Sequence, residues 1–92
     1  MDVYAQIAVK IIKSQEAIIG PVAAEQAGRV PHIKVDWKNQ QITIDGDEAK
    51  AIDALVQVYK ELFGQISVEV SKEAVASLVS QLPAGELPEA LK

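Results

Sequence analysis

Cysteine is absent from this chain of 92 residues, so neither a disulfide framework nor a thiolate metal site supplements its core. No apolar run approaches the roughly 20 residues that a spanning helix needs. The opening MDVYAQ has no basic segment of the secretory kind. These absences predict a soluble, cytoplasmic protein that makes no membrane contact. Aromatic residues are only 4% of the chain and His32 is its only histidine, so no second imidazole or thiolate could complete a metal site or an activated nucleophile. His32 therefore reads as a structural or surface residue. Positive charge is in deficit as well, with a formal net charge of -4. Duplex binding, which calls for a basic face, is disfavoured on that ground.

What the chain does have is apolar side chains: 49% of its residues are hydrophobic and 24% charged. The length allows one domain, near the lower end of what buries an adequate core unaided. That much apolar surface on so short a chain points to self-association, the simplest way to cover what the core cannot.

From Asp2 to Ile19, the residues Tyr4, Ile7, Ala8, Ile11 and Ile18 recur at helical spacing, with Gln6, Lys10, Lys13 and Glu16 opposite. Val9, Ile12 and Ile19 widen the apolar face beyond what one core contact requires. Gly20-Pro21 ends this helix and opens a short second one, about Pro21 to Ala27. The stretch IKVDWKNQQITID alternates in the manner of a hairpin. A two-residue turn at Lys38-Asn39 sets Val35 opposite Ile42 and Ile33 opposite Ile44, so the apolar faces coincide. A third helix runs from about Asp47 to Phe63, capped either by Asp47 or by a box-like Asp45 and Glu48, with Ile52, Leu55, Val56, Tyr59, Leu62 and Phe63 inward. Gly64 ends it. Residues 65–80 fit two periods at first, and 66–70 read equally as strand or helix; beyond Ser71 only a helix fits. Residues 83–92, with two prolines and a glycine, read as an irregular tail after a compact unit of residues 1–82, with Leu82, Leu87 and Leu91 candidates for contact with the core.

An offset of 44 aligns Gly20 with Gly64, Val22 with Ile66, Ala23 with Ser67, Glu25 with Glu69 and Ala27 with Ser71. The same offset places Ile11 on Leu55, Ile12 on Val56 and Ile18 on Leu62. This suggests a repeated helix, glycine corner, helix unit on either side of the hairpin, although two unrelated amphipathic helices that end on glycine would align in the same way.

Asp45, Asp47 and Glu48 around Gly46 resemble part of a calcium loop but lack its twelve-residue spread and closing glutamate, and they suit a helix N-terminus better. Asp53 and Glu61 fall on the solvent side of the third helix. Trp37, at the hairpin tip, either closes the core or anchors a partner. No catalytic set, metal site or cofactor site emerges.

The order helix, glycine corner, short helix, strand, turn, strand, long helix over residues 5–63 resembles the nucleic-acid-binding KH domain, most closely at QITIDGDEAKAIDAL. The family's GXXG loop corresponds to Gly20, Pro21, Val22 and Ala23, so its second glycine is missing. The resemblance is thus to a degenerate KH-like domain. It implies either a protein contact or single-stranded RNA held by Gly20, Arg29, Lys34 and Lys38. The expectation is an α+β fold of order α-α-β-β-α-α. Its expected function is that of a non-catalytic interaction or assembly module, a scaffold or adaptor, that binds itself or another protein through Val9, Ile12, Ile19, Val68, Val75 and Val79.

Overall fold

A computed structural model describes residues 2–92. Helix α1 spans Val3–Ile19 and opens on Asp2, whose carboxylate accepts the Ala5 N–H at 2.8 Å. It stops at Gly20, which takes a φ of 76° and donates its N–H to the Glu16 carbonyl. Helix α2 is Val22–Ala27, followed by strands β1 (Ile33–Asp36) and β2 (Gln41–Ile44). Helix α3 is Glu48–Phe63, and Asp47 alone caps it by accepting the Lys50 N–H at 3.1 Å. Gly64, at a φ of 84°, turns the chain into α4, Gln65–Val79. Residues 66–70 are therefore helical, and the sheet of the described residues has two strands. The expected α+β order is present.

The hairpin register is the expected one, with Ile33 opposite Ile44 and Val35 opposite Ile42. Its turn is longer than expected. Residues 37–40 form it, as a 3-10 turn over Trp37–Asn39 followed by Gln40 in the left-handed region. Asp36 accepts from the Asn39 backbone and side chain, which stabilises this wider loop while keeping the pairing.

Helix α1 is the centre of the molecule: Ile7, Ala8, Ile11 and Ile12 have no exposed surface, and α2, α3, α4 and β2 all pack on it. A helix surrounded by its own chain needs an apolar face wider than a single stripe. This is the reason for the breadth of that face. Residues 83–92 are ordered against the helices as two 3-10 turns, Ala84–Glu86 and Glu89–Leu91, with Leu91 buried. Asp53 is half-buried and not on a solvated face, because its carboxylate accepts the Ala90 N–H at 2.8 Å.

Candidate functional site

The offset of 44 residues has a three-dimensional counterpart. Gln15 and Tyr59 are matched positions, both buried, and each reaches into the opposite helix pair. Gln15 Nε2 donates to the Ser67 carbonyl and to Ser71 Oγ in α4, both at 3.1 Å. Tyr59 donates its hydroxyl to the Ala23 carbonyl in α2 at 2.5 Å. Ala23 and Ser67 are themselves matched, so the two bonds to their carbonyls correspond with the halves exchanged, while the Gln15 bond to Ser71 has no counterpart because Ala27 stands at the matched position. Burial, with a smaller effect from Glu16, raises the Tyr59 phenol far above its ordinary pKa and keeps it a donor. The pairs Ile7/Ala51, Ala8/Ile52, Ile11/Leu55, Ile12/Val56 and Ala27/Ser71 are buried on both sides. In the first two pairs a large and a small residue trade places, which conserves volume.

Helices α1 and α3 run parallel. At one end their N-termini meet, where Glu48 lies close enough to Asp2 for burial first, and then that carboxyl, to raise its pKa above the ordinary value. At the other end the two crossed hydrogen bonds bring the glycine corners together. The matched bonds relate the two corners by an approximate, local two-fold along these helices, which does not extend to the unequal helices α2 (6 residues) and α4 (15 residues) or to the hairpin.

The corner end carries every large apolar side chain that the described residues expose: Ile18 at 62%, Val22 at 40%, Leu62 at 50%, Phe63 at 37% and Ile66 at 67%. Ile18 lies one turn beyond Gln15, and Ile66 is the neighbour of Ser67, so the first crossed bond places these two at the same end. Leu62 and Val22 stand in the same relation to Tyr59 and Ala23. Ile18, Leu62 and Phe63 continue the inward stripe of their helices, but here that stripe outruns the packed length, so their expected burial is corrected. Residues 17–24 and 62–68 contain no charged side chain, and Glu16, Glu25, Glu61 and Glu69 bound them.

The expected partner face is largely used up inside the chain. Val9, Ile12, Val68 and Val75 are buried, and Ile19 and Val79 are half-buried against the same core. Because α1 and α4 pack on each other, the faces that looked surplus cover one another. Of the expected nucleic-acid residues, Gly20 lies at the corner, Arg29 just after α2, Lys34 on the outward side of β1 and Lys38 in the hairpin turn. Trp37 is half-buried, and its Nε1 donates to Glu16 at 2.7 Å, tying the hairpin tip to the last turns of α1.

A cleft of about 530 Å³ lies at the hairpin base, lined by His32, Ile33, Lys34, Thr43, Ile44 and Asp45. His32 has a φ of 70°, at the third position of a turn closed by the Ile33 N–H on the Val30 carbonyl. That position favours glycine or asparagine, and histidine occupies it at some cost in strain. Among the described residues no group of three His, Asp or Glu side chains is arranged to hold a metal ion, and no helix is long and apolar enough to cross a membrane.

Compared with known proteins, the chain matches no family model, no curated protein and no solved structure.

Proposed function

We propose that the protein is a non-catalytic interaction module, a scaffold or adaptor, that docks through the apolar end built by its two glycine corners. The observation that carries this reading is the gathering of the exposed large apolar residues at one end, on stretches that contain no charge. Interface centres are depleted of charge and rimmed by polar residues, and this end has that composition. The side chains are also firmly mounted, because each corner is anchored to the core by a buried hydrogen bond one turn away. A preformed surface of this kind loses little conformational entropy on docking.

The test compares wild type with Ile66→Glu, immobilised and exposed to extract from the source cells. Ile66 is two-thirds exposed in the first turn of α4, where a glutamate complements the helix dipole, so the fold should survive. Proteins held by wild type and released by the variant support the module. Identical retention by both, with unchanged circular dichroism, removes the corner end from that role.

A further inference from the structure

The apolar end has a property that narrows the choice of partner: it is built twice. Ile18 and Val22 from the first corner correspond to Leu62 and Ile66 from the second, and the approximate two-fold that relates the corners passes between them. We infer that the occupant of this surface is a second copy of the chain, docked end to end about a two-fold axis perpendicular to the internal one. This inference rests on the reading of the corner end as a protein-contact surface and adds the identity of the partner.

Two features favour a second copy, and a third selects between its possible axes. The first is shape. A face with internal two-fold repetition presents the same spacing of apolar ridges when turned over, so an identical face meets it corner on corner, as closed symmetric dimers require.

The second is area. The five exposed side chains offer on the order of 400–600 Å² of apolar surface per copy, a large patch for a monomer. With the polar rim around them, two such ends approach the roughly 800 Å² per partner of a standard interface.

The third is charge. The matched positions 16 and 60 hold opposite charges, Glu16 and Lys60. The approximate two-fold therefore exchanges a negative rim position for a positive one, whereas Glu25 and Glu69, also matched, set like charges together under either axis and oppose both dockings equally. A perpendicular axis that sets the first corner of one copy on the second corner of the other brings Glu16 against Lys60 twice. The alternative axis, first corner on first corner, sets like charges together. Trp37 already holds one Glu16 oxygen and fixes the direction of that carboxylate. Charge thus selects one of two otherwise similar dockings.

The experiment is solution mass by light scattering over a concentration series, on wild type, Ile66→Glu, Val22→Glu, Lys60→Glu, Glu16→Lys, the Glu16→Lys/Lys60→Glu double variant and, as a control, Lys34→Glu on the hairpin. Circular dichroism checks that each is folded. Wild type and the control should be dimers. Each apolar-to-glutamate variant should raise the dimer dissociation constant about 30-fold or more, as loss of a central contact does. Lys60→Glu and Glu16→Lys should each weaken the dimer, and the double variant should regain affinity. A wild type that stays monomeric at every concentration overturns the inference; if its corner end still captures other proteins in the extract comparison, the interaction module stands with a different occupant. A dimer indifferent to both apolar-to-glutamate variants also overturns it, and places the contact on another face. A dimer sensitive to these variants but not restored by the charge exchange overturns the assigned axis.

Discussion

Tyr59 of α3 donates its hydroxyl to the Ala23 carbonyl of α2, 36 residues away in sequence. Its counterpart, Gln15, makes the matching bond to Ser67. Each half of the molecule thus holds the glycine corner of the other, and the apolar end exists in its present shape because both locks are closed.

The Tyr59→Phe variant keeps the ring and removes the donor. The Ala23 carbonyl then keeps only its helical bond within α2, and the expected cost is about 0.5–1.5 kcal/mol, the range for one buried hydrogen bond whose acceptor retains another partner. Urea denaturation at neutral pH measures it. A loss much below that range would mean that α2 settles without the lock.

Gly20 and Gly64 combine positive φ with ψ values of -154° and -173°, a region open in practice to glycine alone. A Cβ at either position would have nothing within 4 Å, so the obstacle is backbone strain and not collision. Gly20→Ala and Gly64→Ala should each destabilise by about 1–3 kcal/mol. Because the corners are matched, the two losses should be alike, and thermal or urea unfolding of the pair checks both. An alanine tolerated at only one corner would show that the corners relax differently.

Much of this arrangement is legible in the chain. Helical periodicity and two glycines placed α1, α2 and α3, and strand alternation gave the hairpin register, because a one-residue slip would have turned Ile42 and Ile44 outward. Periodicity tells which face of a helix is apolar; it does not tell how far along the helix a partner extends. For that reason Ile18, Leu62 and Phe63 looked like core, while Ile12 and Val75, which are fully buried, looked surplus. Gln15 carried no apolar signal at all. The offset of 44 that aligns the glycines also sets Gln15 on Tyr59, two long donors facing the small residues Ala23 and Ser67, and it would have revealed the crossed bonds. Asp53 could not be placed from the sequence, since its contact is the backbone of a segment 37 residues later.

Where α1 and α3 begin side by side, Glu48 is held above its ordinary value of 4.5, chiefly by burial and then by Asp2. The folded protein therefore binds this proton more readily than the unfolded chain, so the contribution of Glu48 to stability should rise as pH falls from neutral toward 4.5 and level off below it. The Glu48→Gln variant removes the penalty on the ionised form. It should be slightly more stable than wild type at neutral pH, with the gap closing as the solution is acidified. Paired urea curves across that pH range measure the gap, and a constant difference would assign the gain to something other than titration.

The first C-terminal turn is tied to α1 by the Tyr4 hydroxyl on the Glu86 carbonyl, Pro88 is buried, and the last turn is held at two further points by different forces. Asp53 accepts the Ala90 N–H, and one residue further on Leu91 is buried beside α3 and α4. Asp53→Ala should cost about 1 kcal/mol for the lost cap-like bond, and Leu91→Ala about 2–4 kcal/mol for the lost side-chain burial and the cavity. Both act on the same short segment, so once either grip is lost the segment is freer to detach and the other has less left to hold. The double variant should therefore be less destabilised than the two single losses together, a coupling that urea denaturation of all four proteins resolves. Faster amide exchange over residues 83–92 in each single variant would locate the change. Strict additivity would mean that the two contacts are independent, and that the tail is held residue by residue and not as one strap.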